Sequence, residues 1–129
     1  MNEIQPFYPH ESDNGIMVKK DLAEVANWTD ELEYIHEELE YFLDIEDSML
    51  QNSDLYQQLL TIRRENTLRL ARLHRYETTM AKAIECDTIE CDAYYLHHHE
   101  KNRNAYIEHI KNYRNIKTKT LSSILLDAK

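Results

Sequence analysis

The sequence predicts an all-α protein, an elongated antiparallel three-helix bundle with coiled-coil-like packing. Glycine occurs once (Gly15) and proline twice (Pro6 and Pro9), all within the first sixteen of 129 residues. Because these residues most often interrupt helices, long helices are permitted over the rest of the chain. That rest is rich in Leu, Glu, Lys, Arg and Gln, which lose little rotamer freedom in a helix. In addition, apolar residues recur there at alternating steps of three and four, the period of a helix with one buried face.

Residues 1–16 are predicted to form a flexible N-terminal arm. They hold both prolines and the glycine and show no apolar periodicity. Residues 17–129 are predicted to form a single helical bundle domain, because a chain of this length with 42% hydrophobic residues supplies one core.

The first helix is predicted over about residues 19–44. Its stripe of apolar residues comprises Leu22, Val25, Trp28, Leu32, Ile35, Leu39 and Phe42. The rhythm is lost after Asp44, and Ser53 or Asp54 offers a cap for the next helix. A first connection is therefore expected between these points.

The second and third helices are predicted over about residues 55–85 and 89–126. The second stripe is Leu55, Leu59, Ile62, Asn66, Leu73, Glu77, Met80 and Ile84. The third is Tyr95, His99, Asn102, Tyr106, Ile110, Tyr113, Thr120 and Ile124. Asp87 and Thr88 favour a turn between these helices, but a helix continuing through residues 86–91 is the alternative, since no glycine or proline interrupts it.

Charge is distributed unevenly along this acidic chain, whose net charge is −9. Residues 1–47 carry 2 basic and 14 acidic side chains, whereas residues 48–129 carry 13 basic and 10 acidic ones. The arginines of the second helix are Arg63, Arg64, Arg69, Arg72 and Arg75. We expect the acidic first helix to neutralise these arginines, which argues against the competing interpretation, nucleic-acid binding.

Localisation is predicted to be cytoplasmic, without membrane association. The sequence has no run of about 20 apolar residues, and its N-terminus lacks the basic and apolar regions of a signal peptide. Cys86 and Cys91 are expected to be reduced thiols, since two cysteines do not make the disulfide framework of a secreted protein.

Polar residues within the apolar stripes are the candidates for a site. In an antiparallel hairpin that turns near residue 88, Glu77 and His99 lie at the same level, and Asn66 lies near Ile110 and His109. His36 is expected close to Asn66. Such buried layers fix helix register more often than they catalyse reactions, so catalytic residues are not predicted.

Metal binding is the alternative function, and it would use His36, Glu77, His99, Cys86 and Cys91. Thiolate and imidazole are preferred zinc ligands. The spacing is unlike that of structural zinc sites, and a single Glu-x-x-His at residues 33–36 is only half of a di-iron signature. No metal or other cofactor is therefore predicted.

Protein–protein contact is the leading functional hypothesis. Because the third helix is predicted to be longer than the first, its end should overhang and leave apolar surface to be covered by a homodimer partner or a helical protein. The predicted interaction surface comprises Tyr34, Tyr41, Leu121, Ile124 and Leu125.

A stretch of the first helix followed by two further long helices resembles uncharacterised bacterial helical-bundle proteins. The residues that carry the resemblance are Trp28, Glu31, Leu32, Ile35, Glu38, Leu39 and Phe42, with Tyr113 and Lys117 near the end. The resemblance implies a three-helix bundle and no activity. The sequence thus predicts a non-enzymatic scaffold or interaction module that self-associates, with a metal-binding or sensor bundle as the alternative.

Overall fold

A computed structural model describes residues 13–83 and 89–128. Helix α1 spans Asp13–Ile45 and is followed by a single π-helical turn, Glu46–Leu50. Helix α2 spans Ser53–Ala83, and helix α3 spans Ile89–Asp127. The predicted all-α class with three helices is confirmed, and the described residues contain no strand.

The helix boundaries differ from the predicted ones mainly at α1. This helix begins at Asp13, so residues 13–16 of the predicted arm are helical. Residues 1–12 and the predicted turn at Asp87 and Thr88 lie outside the described residues. The 33 residues of α1 and the five residues of the π-helical turn together form a helical segment about as long as α3, which has 39 residues. The prediction that the third helix overhangs the first is therefore wrong, because helical geometry continues through the acidic segment after Asp44 despite its missing apolar rhythm.

The connection between α1 and α2 is a tight turn of two residues. Gln51 adopts a left-handed conformation (φ 50°), and its backbone N–H donates to the carbonyl of Glu46 at 2.8 Å. Asn52 caps α2, since its Oδ1 accepts a hydrogen bond from the backbone N–H of Leu55 at 3.2 Å. The cap lies one residue before Ser53, the first of the two predicted caps, Ser53 and Asp54. The connection is shorter than the one predicted between Asp44 and these residues.

Side-chain contacts give the direction of α3 relative to α1. Near the start of α1, Glu24 bonds to His99 and Arg103 of α3. Near its end, Glu38 bonds to Lys117. Residue numbers rise together along both helices, so the two run in the same direction.

Helix α2 runs opposite to α3. Tyr76 of α2 contacts His99, whereas Asn66, earlier in α2, contacts His109, later in α3. The numbers of the paired residues change in opposite directions. The amide of Asn66 also reaches the carbonyl of Leu32 in α1, so this residue joins all three helices.

The core lies between the three helices and is built mainly from the predicted stripes. The stripe members that are only half-buried are Leu22, Glu77, Asn102, Tyr106, Ile110 and Ile124, and Ile84 lies outside the described residues. Glu77 was predicted to face it, but Tyr76 is buried there and Glu77 is half-buried at its edge. Tyr76 lies three residues after Leu73 and four before Met80, so it continues the helical rhythm. The buried apolar residues are Val18, Val25, Trp28, Leu32, Ile35, Leu39, Phe42, Leu43, Leu55, Leu59, Ile62, Leu73, Tyr76, Met80, Tyr95 and Tyr113.

The helices are amphipathic rather than uniformly apolar. In the described part of the chain, every helix is too polar over its length to cross a lipid bilayer.

Candidate functional site

A buried histidine lies where the three helices meet. His99 of α3 is 3% exposed, and its Nδ1 lies 2.7 Å from the hydroxyl of Tyr76 in α2. Its Nε2 lies 2.9 Å from Oε1 of Glu24 in α1. We name the surrounding set the polar cluster: Asp21, Glu24, Tyr76, Tyr95, His99 and Arg103.

The hydrogen bond to Glu24 shows that Nε2 of His99 carries a proton. The pKa of Glu24 is below its ordinary value, mainly because of its hydrogen bond to Arg103, so this carboxylate is ionised at neutral pH and can only accept. Nε2 of His99 therefore donates to it. In the neutral imidazole the hydroxyl of Tyr76 then donates to Nδ1, and in the imidazolium Nδ1 donates to this hydroxyl. Burial raises the pKa of Tyr76 and keeps this hydroxyl protonated.

Both carboxylates of the polar cluster have further donors. Arg103 binds Glu24 through two hydrogen bonds, from Nε to Oε2 at 3.1 Å and from Nη2 to Oε1 at 2.9 Å. Its third donor reaches Glu100 at 2.6 Å. Asp21 accepts a hydrogen bond from the hydroxyl of Tyr95. Each charged group is thus paired, as groups removed from water must be.

Aromatic rings cover the polar cluster. The ring of Trp28 stacks on His99 with centroids 5.5 Å apart and on Tyr106 at 5.1 Å. Tyr95 stacks on His99 at 5.7 Å. These rings hold the imidazole in one orientation and exclude water from it.

Three residues of the polar cluster have the geometry of a metal site. One ligand atom each from Asp21, Glu24 and His99 lie within 4.8 Å of one another, the one such group among the described residues. Imidazole nitrogen and carboxylate oxygen suit zinc. However, Nε2 of His99 carries a proton and Arg103 occupies both oxygens of Glu24. A metal would have to displace both, so the arrangement is complete as a hydrogen-bonded network.

The three described residues of the predicted metal set, His36, Glu77 and His99, do not come together. The predicted pair of Glu77 and His99 is wrong, because Oε1 of Glu77 lies 3.2 Å from Nδ1 of His74, while the ring nitrogens of His99 contact Tyr76 and Glu24. His36 is exposed beside a groove between α1 and α2. Cys86 and the side chain of Cys91 lie outside the described residues.

A second buried polar layer was predicted correctly in part. Oδ1 of Asn66 accepts from Nε2 of His109 at 2.8 Å, and its Nδ2 donates to the carbonyl of Leu32 at 2.8 Å. Burial, assisted by the positive charge of Arg69, lowers the pKa of His109 to about 4. The contact of Asn66 with His109 is confirmed, whereas His36 is exposed and stands outside this layer.

Most of the predicted interaction surface is exposed. Tyr34, Tyr41, Leu121 and Leu125 are 57, 70, 44 and 66% exposed, and Ile124 is half-buried. We name these five residues the tyrosine–leucine surface.

The contact of Glu38 with Lys117 places two of these residues side by side. Tyr41 lies three residues after Glu38, and Leu121 lies four after Lys117. Since α1 and α3 run in the same direction, Tyr41 and Leu121 lie at the same level beside the line along which the helices meet.

Sequence reasoning missed Asp21, Glu24 and Arg103. The available signal was their position: Asp21 and Glu24 are three residues apart and adjoin Leu22 and Val25 of the first stripe. Arg103 lies four residues after His99, hence on the same face of α3.

Comparisons with protein-family models, curated proteins and solved structures find no match to this chain. Function must therefore be argued from its own residues.

Proposed function

We propose that the protein is a non-enzymatic, cytoplasmic helical interaction module that forms a homodimer through the tyrosine–leucine surface. The observation that carries this proposal is the exposure of Tyr41 and Leu125, 70 and 66%, together with the position of Tyr41 and Leu121 at the same level beside the line along which α1 and α3 meet. Large exposed apolar groups that share a face are typical of surfaces that bind proteins.

The composition of this surface favours a protein partner. Tyrosine gives a large contact area with few rotatable bonds, and the leucines supply apolar surface that water leaves on binding. A second copy of the chain offers the same residues, as a two-fold symmetric interface requires. Coiled-coil-like packing of α3 against its copy would suit the spacing of Leu121 and Leu125, four residues apart.

The polar cluster supports the non-enzymatic part of the proposal. Its histidine is buried, and its donors and acceptors are bound to one another. We assign it a structural role, the orientation of three helices, which fixes the exposed surface in one geometry.

Sedimentation velocity of the full chain tests the dimer. We expect the unaltered protein to be dimeric and the double variant Tyr41→Gln/Leu125→Gln to dissociate at least about tenfold more readily, since each lost side chain removes about 1.5–3 kcal/mol of burial. The matched control, Leu68→Gln/Tyr94→Gln, alters the same residue types at positions that are 48 and 60% exposed elsewhere. It should remain dimeric. The proposal would be refuted if the unaltered protein remained monomeric at a concentration on the order of 100 μM.

Metal binding through Asp21, Glu24 and His99 is a second candidate, favoured by their 4.8 Å grouping. Calorimetric titration with ZnCl₂ tests it. Stoichiometric binding that is lost in Glu24→Gln but kept in Glu77→Gln, which alters the surface pair with His74, would establish this site. An absence of binding, or an equal loss in both variants, would eliminate it.

A further inference from the structure

A pocket of about 350 Å³ between α2 and α3 is lined with basic side chains. Arg69, Arg72 and Arg75 line it from α2, and His98 and Lys101 line it from α3. Its remaining described lining is uncharged, with polar groups from Asn102 and Thr79 among it. In a chain of net charge −9, this is a local concentration of positive charge.

The acidic residues of α1 do not neutralise these cations as the sequence predicted. Glu38 binds Lys117 of α3, and Glu24 binds Arg103. Of the α2 arginines, Arg63 alone has an ion pair within the described part of the chain, to Glu40. The expectation was wrong for Arg69, Arg72 and Arg75 because the face of α2 that carries them lines a pocket beside α3.

The guanidinium group of Arg69 has a buried nitrogen without a hydrogen-bond partner among the described residues. This nitrogen is Nε, which is shielded from solvent. Burial and the positive charge of Arg72 lower the pKa of Arg69, and the charge of Glu65 offsets only part of this effect. Glu65 lines an adjoining groove and does not line this pocket. A bound anion would relieve the mutual repulsion of these cations.

We infer that this pocket binds a small phosphate-bearing anion. Several guanidinium forks and one ammonium group converge on it, and the fork geometry of arginine matches phosphate oxygens through paired hydrogen bonds. A volume of about 350 Å³ is at the lower end of the range for small-molecule sites, which suits a compact ligand such as a diphosphate group.

The same charges disfavour a long nucleic acid as the ligand. The basic residues are gathered in one concave pocket, whereas nucleic-acid binding needs contacts to successive phosphates along a strand. The acidic surface of α1 would repel the remainder of such a polyanion.

Calorimetric titration with pyrophosphate, at constant ionic strength maintained with NaCl, tests the inference. We expect saturable binding of one pyrophosphate per chain and a loss of affinity of at least about tenfold in Arg72→Gln, an exposed position whose replacement leaves the core intact. Arg64→Gln is the matched control, because Arg64 is also exposed on α2 but lines a different groove. The control should bind as the unaltered protein does.

Three results would overturn the inference. An equal loss in Arg72→Gln and Arg64→Gln, or no saturable binding at all, would show that the pocket does not recognise the anion. Tighter binding of a single-stranded oligonucleotide than of pyrophosphate in the same buffer would reassign the arginines to nucleic-acid contact.

Discussion

The hydroxyl of Tyr76 lies 2.7 Å from Nδ1 of His99, and both side chains are buried. This bond links α2 to α3 at the level where His99 also binds Glu24 of α1. A single hydroxyl therefore completes a contact among three helices.

Replacing Tyr76 by phenylalanine keeps the ring and removes this hydroxyl. We expect the free energy of unfolding to fall by about 1–3 kcal/mol, because Nδ1 of His99 would remain buried without a hydrogen-bond partner. Urea denaturation followed by circular dichroism measures the change. The control is Tyr94→Phe, at a residue that is 60% exposed, and it should shift stability by no more than about 0.5 kcal/mol. Equal effects of both substitutions would contradict a special role for the Tyr76 hydroxyl.

The substitution Asn66→Ala should be more damaging. Asn66 is fully buried, and its amide satisfies both His109 and the carbonyl of Leu32. Alanine would leave Nε2 of His109 buried without a partner, remove the additional hydrogen bond to the helical carbonyl of Leu32 and create a cavity, so we expect a loss of about 2–4 kcal/mol in unfolding free energy. The same denaturation measurement applies, with the exposed Asn115→Ala as control. A loss below about 1 kcal/mol would mean that water replaces the amide.

Helical periodicity predicted which polar residues of α2 and α3 would be buried together. In an antiparallel hairpin the position of the turn determines which residues of the two helices lie at the same level. The contact of Asn66 with His109 could therefore be predicted. His99 was also expected in the core, but its carboxylate partner was not Glu77. The partners of His99 depend on how α1 and α2 are rotated and shifted against α3. The sequence does not specify this geometry, because the positions of both connections are uncertain by a few residues. A shift of one residue turns a helix by about 100°, enough to exchange Tyr76 for Glu77.

The turn after α1 offers a stabilising substitution. Gln51 has φ 50°, a left-handed conformation that costs a non-glycine residue roughly 1–2 kcal/mol. Gln51→Gly should raise the unfolding free energy by about 0.5–1 kcal/mol, the strain removed less the greater entropy of glycine in the unfolded chain. As a control, Ser48→Gly in the neighbouring π-helical turn should lower stability, since helical backbone there gains nothing from glycine. A decrease in both variants would exclude strain at Gln51.

Protonation of His109 should make the protein less stable in mild acid. Its pKa is lowered from 6.5 to about 4 by burial and by Arg69. Between these two values the unfolded chain binds a proton that the folded protein does not. The contribution of His109 is therefore fully present above about pH 6.5 and is lost progressively as pH falls toward 4, on the order of 3 kcal/mol in total.

Denaturation of His109→Gln between pH 7 and pH 5 isolates this effect. Glutamine can still donate a hydrogen bond to Oδ1 of Asn66 but does not titrate, so the fall in unfolding free energy over this range should be smaller than in the unaltered protein. Glu24, whose pKa is also lowered, contributes mainly below its ordinary value of 4.5 and is unchanged in both proteins. Identical pH dependence in the two proteins would mean that His109 takes up its proton without unfolding, which its burial and its bond to Asn66 argue against.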